Sequence, residues 1–483
     1  MDQNMGTVEE LRTFVNACHS KGIRVIMDIV MNHVGYNNTQ DMVTFNHGYT
    51  EHTDGWLEKA NNPDTGKIEW YANDTVKWDN SYWDDSWFGP WIRSFGYASG
   101  AEYGGSCGGL PDVKTELTSS VGIAPVHNKK WNEVDTEEYK KAYYNPSVSN
   151  VDWLSKSGDY RKDIGVAPAD YQVAWLSAWV REVGIDGFRC DTAKHVEPFR
   201  WGQLKDACTD ALEAWRNDSS KDKKYNGVDT GAADWDESFW MTGECWGWTA
   251  IGGSGGDYYG TGKFDSMINF SYNGSQGGGT SSAYPTESDW DKYLSINSAK
   301  KDDDNNGNLN NVLTYLSSHD TKLCRPSDAL AQGTMFTLLP GGIQIYYGDE
   351  SSRPQAYLGC GDTDMMTRGD MNWGDIEGSK KAQVAHWGKL GNFRKYNPAV
   401  GAGVGSGTKR TYSGPAGESK VAISVSGTSV DVKGLFADGT TVYNWYDGKS
   451  STVSGGKVTF AGGTTSQPIL VSEKNPAVYG IKF

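Results

Sequence analysis

Long apolar runs are missing from this chain of 483 residues. Mean hydropathy is -0.61, and no stretch approaches the roughly 20 apolar residues that span a bilayer, so a soluble protein without a membrane partner is expected. Positive charge is also scarce. Lys and Arg number 45 against 61 Asp and Glu, giving a formal charge of -16. The basic residues are scattered, which makes nucleic acid and anionic lipid poor partners. Cysteine is sparse and unpaired in pattern: seven residues, an odd number, widely spaced and with no CxxC. That argues against a zinc site and a dense disulfide framework, and leaves room for one disulfide in the long central segment or a late loop. No signal-peptide pattern is visible in the polar opening MDQNMG. What is abundant is aromatic surface. With 20 Trp and 26 Tyr, the chain has more than a core alone needs. Many of these rings will be core, but flat apolar faces such as sugar rings suit the remainder. The length implies two or three domains.

Read in order, Thr7 and Glu10 form a T-x-x-E capping box, Leu11, Phe14, Val15 and Cys18 fall on one stripe, and Gly22 ends the helix. Ile23 to Val30 is a nearly continuous β-branched run, as in a strand buried on both faces of a parallel sheet. About 135 residues of mixed character follow, too long for a plain loop. The alternation then resumes. Helix Tyr171 to Glu182 packs through Val173, Leu176, Val180 and Val183, and strand Ile185 to Asp191 follows. Helix Pro198 to Asn217 packs through Leu204, Cys208, Leu212 and Trp215. Strands Phe239 to Glu244, Phe264 to Phe270, Val312 to Ser317 and Ile343 to Tyr347 are separated by helices Glu287 to Ala299 and Ser327 to Leu339, and helix Lys381 to Tyr396 closes the series. Alternating β and α with buried strands predicts a parallel sheet covered by helices. From about Val400, short alternating runs broken by Gly predict an antiparallel β-domain.

The candidate site centres on GFRCDTAKH, Gly187 to His195. On a strand, Arg189 and Asp191 share a face, and an Arg two residues before an Asp can hold that carboxylate ionised and oriented. An isolated RxD is more often a structural ion pair. Here the pattern recurs: Asp28 and His33, Asp191, Glu244, and His319 with Asp320 all sit at C-terminal ends of predicted parallel strands, where a (β/α) barrel gathers its site. Barrel stability needs nothing charged there. Cys190 and Cys245 fall on the opposite strand face and read as small hydrophobes. Carboxylates gathered without a His or Cys metal triad point to glycoside chemistry.

DIVMNH, LPDV, GFRCDTAKH, TGECW, LSSHDT and GGIQIYYGDE resemble, in that order, the signature regions of the α-amylase clan, glycoside hydrolase family thirteen. GYNNTQDM, LPDVKTE, YGDESSRP and GDMNW are similar to its periplasmic and secreted bacterial members. The resemblance covers residues 1 to about 400 and implies a (β/α)8 TIM barrel over residues 1–33 and 170–398. It further implies an insertion domain at 34–169 and a C-terminal antiparallel β-domain at 399–483. The implied activity is retaining, endo-acting hydrolysis of α-1,4-glucosidic bonds in starch, glycogen and maltooligosaccharides. Carried over by motif, Asp191 is the nucleophile. Glu244 is the acid/base, with a pKa raised by its surroundings, and Asp320 is the third carboxylate, which grips and distorts the sugar. Arg189, His33 and His319 surround the cleaved sugar, and Lys194 and His195 lie on the leaving-group side. Calcium is the implied cofactor, held by Asn32, Asp112 and the carbonyl of His195, an oxygen-only set that suits a hard cation. The partner is an α-glucan polysaccharide or oligosaccharide, the protein a monomer, and the location periplasmic or extracellular.

The departure from that pattern is at the front. Six parallel strands can be counted, the first matching the family's third, so two βα units and any leader they followed are expected to be absent here. Two other readings use the same residues: a non-catalytic α-glucan-binding remnant, and an α-glucan transglycosylase.

Overall fold

In the computed structural model the first helix, α1 (Val8–His19), starts where Thr7 Oγ1 accepts the Glu10 N–H at 3.1 Å and the Glu10 carboxylate accepts the Thr7 N–H at 2.7 Å. This is the expected capping box. The structure describes residues 6–34, 49–51, 75–77, 89–94, 112–124, 127–128, 162–248, 257–270, 287–300, 312–321, 323–324, 327–356 and 366–483. The chain divides into two compact units: Met1–Asn62, Trp70–Trp246 and Gly255–Asp265 form the first, and Pro63–Glu69, Gly247–Ser254 and Ser266–Phe483 the second. Most of the expected insertion, with Cys107, and the late loop carrying Cys360 lie outside the described residues. The five cysteines that are described are all free thiols.

In the first unit α1 leads to β1 (Ile26–Val30). Strands β2 (Ile92–Ser94) and β3 (Asp112–Val113) pair antiparallel. Then come α2 (Pro168–Val183), β4 (Gly187–Asp191), α3 (Pro198–Asn217) and β5 (Trp240–Gly243). Strands β1, β4 and β5 are parallel, with Val30 opposite Asp191 and Cys190 opposite Gly243. Helix α3 has its expected bounds. Proline at its first position loses no hydrogen bond there, and Leu204, Cys208, Leu212 and Trp215 are all buried as predicted.

Two expectations fail in this unit. The buried face of α1 carries Val8, Val15, Asn16 and His19, while Phe14 is 57% exposed and Leu11 and Cys18 are only half-buried. Polar partners far along the chain set the rotation: Asn16 donates to the carbonyls of Asp222 and Lys224, and His19 pairs with Asp186 at 2.8 Å. Strand β1 is likewise not buried on both faces. Ile26 and Val30 are 46% and 40% exposed, and Ile29 alone within the strand is buried. Among the described residues of this unit β1 pairs only with β4, so it is an edge. On α2, Leu176 is half-buried, while Val173, Val180 and Val183 are core.

Helix α2 ends on Gly184 at φ +79°, where an added Cβ would come within 2.4 Å of the Trp215 ring. Left-handed backbone and the ring both exclude a side chain here. Gly184→Ala is expected to destabilise the fold by about 2 kcal/mol or more, read as a lower denaturation midpoint with unchanged m-value.

The second unit continues the alternation with β6 (Ser266–Asn269), α4 (Glu287–Lys300), β7 (Val312–Tyr315), α5 (Ala329–Thr337), β8 (Gly342–Gln344) and α6 (Lys381–Tyr396). Strands β6, β7 and β8 are parallel. Antiparallel strands follow from Val404, including β9 (Lys409–Gly414), β10 (Gly417–Ser424), β11 (Thr441–Asn444) and β12 (Ile469–Ser472). The expected boundary near residue 399 lies over a shared core: Met335, Phe336, Trp387 and Phe393 of the helices cluster with Val421, Ile423, Trp445 and Leu470 of the sheet. A half-buried and a buried cation reinforce it. Arg394 donates to the carbonyls of Thr337, Leu339 and Gly341, and Arg410 on β9 donates to those of Leu338, Val400 and Gly407. Carbonyls at the end of α5 that lack a helical partner are thereby satisfied.

Candidate active site

Side-chain alternation on β4 puts Arg189 and Asp191 on one face, and the register of β1 against β4 puts Asp28 opposite Arg189. A single guanidinium nitrogen, Nη1 of Arg189, donates to Asp191 Oδ1 at 2.5 Å and to Asp28 Oδ1 at 2.9 Å. Burial opposes the charge on Arg189, but Asp28, Glu244 and Asp191 outweigh it and raise its pKa. Its cation is therefore permanent. The arrangement holds Asp191 in one orientation beside a fixed positive charge.

Glu244 follows β5 by one residue and extends the register that pairs Cys190 with Gly243, so it stands across from Asp191. Its main chain is locked to the end of β4: the Glu244 N–H donates to the Cys190 carbonyl at 2.8 Å, and its own carbonyl accepts from Ala193 N–H at 2.6 Å. The carboxylate is buried, with Oε2 accepting the Thr192 N–H at 3.0 Å. Thr192 adopts φ +49°. A β-branched residue in left-handed backbone is strained, and here the strained turn presents the N–H that anchors Glu244. Cys190 and Cys245 are both buried, and burial pushes the Cys190 thiol well up, so that thiol is inert packing as expected.

His33 lies just beyond β1, and Asn32 Nδ2 is 3.4 Å from its Nδ1. Burial lowers its pKa, opposed by the charge of Asp191, so the ring meets the site neutral. Lys194 and His195 occupy the one-turn 3-10 helix Ala193–His195, which Trp201 Nε1 pins through the Ala193 carbonyl at 3.0 Å.

Two of the expected calcium ligands, Asn32 and Asp112, meet at a backbone junction. His33 and Asp112 form a β-bridge, and Val113 N–H donates to the Asn32 carbonyl at 2.8 Å. Asn32 and Asp112 are fully buried, yet among the described residues Asn32 Oδ1 and both Asp112 carboxylate oxygens have no hydrogen-bond donor. Arg93 Nε stands 3.6 Å from Asp112 Oδ2. Burial pushes the Asp112 carboxyl up to about 7, offset in part by Arg93, with Glu116 and Glu197 adding to the rise. Three buried oxygens without donors are costly as they stand and fit a hard cation. Among the described residues no group of three His, Cys, Asp or Glu side chains could hold a metal. The candidate therefore relies on one amide, one carboxylate and a main-chain carbonyl.

His319 and Asp320 belong to the second unit, past the end of β7. His319 Nε2 lies 2.8 Å from Asp320 Oδ2, and Arg368 Nη2 donates to Asp320 Oδ1 at 2.6 Å. Burial would raise the Asp320 pKa, but His319 and Arg368 outweigh it and hold the carboxyl below its usual range.

The structure thus gathers Asp28, His33, Arg189, Asp191, Thr192 and Glu244 in one unit and His319, Asp320 and Arg368 in the other. Thr192 and Arg368 had no sequence signal, and Asp28 had none for its role as second acceptor of Arg189. The register of two parallel strands would have found Asp28. The family model for the α-amylase catalytic domain matches residues 1–90 and 149–384. The chain belongs to the α-amylase family. It is 38% identical over 415 residues to the periplasmic alpha-amylase of Escherichia coli (strain K12), a match spanning 83% of this chain and 54% of that one. It is 25% identical over 396 residues to the alpha-amylase of Streptomyces lividans, spanning 75% of this chain and 35% of that one. The chain thus spans about half or less of the curated relatives it matches. Among solved structures, the α-amylase from Geobacillus thermoleovorans in complex with acarbose aligns at a TM-score of 0.52 and 15% identity, over 98% of this chain and 82% of that one. That likeness is one of fold. It assigns this α-amylase family member to the (β/α) barrel class with a C-terminal antiparallel β-domain.

Proposed function

We propose that the chain is a retaining, endo-acting hydrolase of α-1,4-glucosidic bonds in starch, glycogen and maltooligosaccharides. The observation that carries the reading is the Asp191 and Glu244 pair: neighbouring strand ends, one carboxylate fixed by Arg189 and the other by Thr192 N–H. Parallel strands lie about 4.8 Å apart, on the scale of the roughly 5 Å between carboxyls in retaining enzymes. Asp191 attacks the anomeric carbon through the oxygen that Arg189 does not hold, forming a glycosyl ester. Glu244 protonates the departing oxygen, then takes a proton from water as water cleaves the ester and frees Asp191. Two displacements retain the α-configuration. By the resemblance, His33 grips hydroxyls of the cleaved sugar and Lys194 and His195 face the leaving chain; the resemblance gives His319 and Asp320 of the second unit a sugar-binding role as well. The acarbose complex of the Geobacillus relative and the names of the curated relatives support an α-glucan substrate.

The test is proton NMR of maltoheptaose digestion in the first minutes, where α-anomeric products are expected first. Products of β-configuration would overturn the mechanism. Binding without cleavage would favour the glucan-binding remnant, and products longer than the substrate the transglycosylase.

We further propose that Asn32, Asp112 and the His195 carbonyl hold Ca²⁺. A bound ion would tie the segment carrying Asp112 to the end of β1 and the turn after β4. An ion that binds only the folded chain at about a hundred times its Kd adds roughly 2.7 kcal/mol. Chelation is therefore expected to lower the melting temperature by several degrees, with recovery on adding Ca²⁺ and less effect in Asp112→Asn. A melting curve unmoved by chelator, with no calcium by elemental analysis, would remove the site. A monomer in the periplasm or outside the cell completes the proposal. The location rests on the name of the Escherichia coli relative.

A further inference from the structure

The segment around Arg368 is anchored on both sides of that residue by a buried cation the proposed mechanism does not use. Arg353 is fully buried. Its Nη2 donates to the Thr367 carbonyl at 2.6 Å, its Nη1 to the Gly369 carbonyl at 2.9 Å, and its Nε to the Tyr347 carbonyl at 3.1 Å. Tyr346 and Tyr347, just past β8, send their hydroxyls to the same two carbonyls, at 3.2 Å to Thr367 and 2.9 Å to Gly369. The Tyr347 ring also lies 4.0 Å from the Arg353 guanidinium. Thr367 Oγ1 completes the anchoring by donating to the His319 carbonyl at 2.6 Å. Arg368 stands between these fixed points with its side chain 47% exposed and its Nη2 on Asp320.

We propose that Arg368 is a positioning residue for Asp320, and that buried Arg353 serves it by fixing the backbone from which it reaches. The inference rests on the glycosidase reading, in which Asp320 grips sugar hydroxyls. An exposed ion pair adds little to stability, so five hydrogen bonds spent on holding this strip point to orientation instead. Each Asp320 oxygen has its own partner, His319 on Oδ2 and Arg368 on Oδ1. Among the described residues those are the charged groups set against this carboxylate. An arginine keeps its charge at every working pH. Arg368 is thus the partner that keeps Asp320 ionised and in one rotamer across the working range.

The sign of the pH effect follows. Activity that needs ionised Asp320 is present above its pKa and lost as pH falls through it. Removing Arg368 raises that pKa, so the loss begins at higher pH. In Arg368→Met, kcat/KM on maltoheptaose is expected to fall about 10²-fold, the scale of a misplaced reacting group, with the acid limb moved up and the melting temperature unchanged. Arg368→Lys is expected to restore the acid limb and part of kcat/KM. Wild-type kcat/KM and acid limb in Arg368→Met would overturn the proposal, as would an acid limb in Arg368→Lys shifted as far as in Met. A second readout does not need turnover: the ¹³C carboxyl resonance of Asp320, assigned by its loss in Asp320→Asn, should titrate higher in the Met variant and not in the Lys variant. An unchanged titration would overturn the positioning role even in a chain that cleaves nothing. The expected titration shift in a wild-type chain without hydrolysis would count against the glycosidase reading alone.

Discussion

Asp191→Asn is expected to lower kcat on maltoheptaose by about 10⁴- to 10⁶-fold, the range seen when a covalent nucleophile is removed, while maltoheptaose affinity stays within a few-fold. The amide has nearly the volume of the carboxylate and can still accept from Arg189, so the end of β4 keeps its shape. It cannot form the glycosyl ester. Arg189 is not left alone in the variant, because its Nη1 also donates to Asp28 at 2.9 Å. That second acceptor limits the cost that stranding a buried cation would otherwise carry. The circular dichroism spectrum and melting temperature should therefore match the wild type closely, and calorimetric titration should show binding without heat from cleavage. Activity above about one per cent of wild type, in a preparation shown by mass to be the intended variant, would deny Asp191 the nucleophile's role. Asp28→Asn offers a graded control: it weakens the hold on Arg189 without touching the reacting atoms, so a small loss, well short of the Asp191 variant, is expected.

Much of this arrangement was legible because it depends on local rules. The helix from Pro198 to Asn217 declares its start through proline and its buried face through four residues at helical spacing. The capping box at Thr7 is written in two residues three apart. Asp191 could be placed because a strand that ends in a charged residue presents it at the sheet's C-terminal edge, and Glu244 because it directly follows the neighbouring parallel strand. The strands themselves are shorter than their apolar runs. Ile23, for example, extends the run ahead of β1 but lies outside it.

What could not be read was set by partners distant in sequence. The rotation of α1 depends on Asp186, 167 residues beyond His19, and on carbonyls more than 200 residues beyond Asn16. Apolar periodicity alone therefore favoured Phe14, which faces solvent. Arg368 reaches Asp320 across 48 residues of chain from a segment with no strand or helix period to mark it. Thr192 is a different failure. Its left-handed backbone contradicts the preference of a β-branched residue, so local propensity argues against the one conformation that delivers its N–H to Glu244. Such disagreement between local preference and tertiary demand is expected where chemistry is done.

Glu244→Gln gives the last expected result, one that separates the acid step from the base step. The Gln amide oxygen can accept the Thr192 N–H that Glu244 Oε2 now accepts at 3.0 Å, so the side chain should stay in place, but it can neither give nor take a proton. On starch, whose leaving oxygen needs protonation, kcat is expected to fall about 10²- to 10⁴-fold, the usual contribution of a general acid. On α-maltosyl fluoride the leaving fluoride needs no proton, so Asp191 should still be glycosylated at a rate near wild type. Hydrolysis of that ester then lacks its general base. Fluoride should therefore appear as a burst of about one equivalent per protein, followed by slow turnover, with the maltosyl adduct visible on the intact protein by mass spectrometry. Azide, an anion that needs no deprotonation to attack, should discharge the adduct and release a maltosyl azide. Its configuration is α, because the first displacement inverts the anomeric carbon and azide inverts it back. Equal loss on starch and on the fluoride, with no adduct and no rescue by azide, would take the acid/base role away from Glu244.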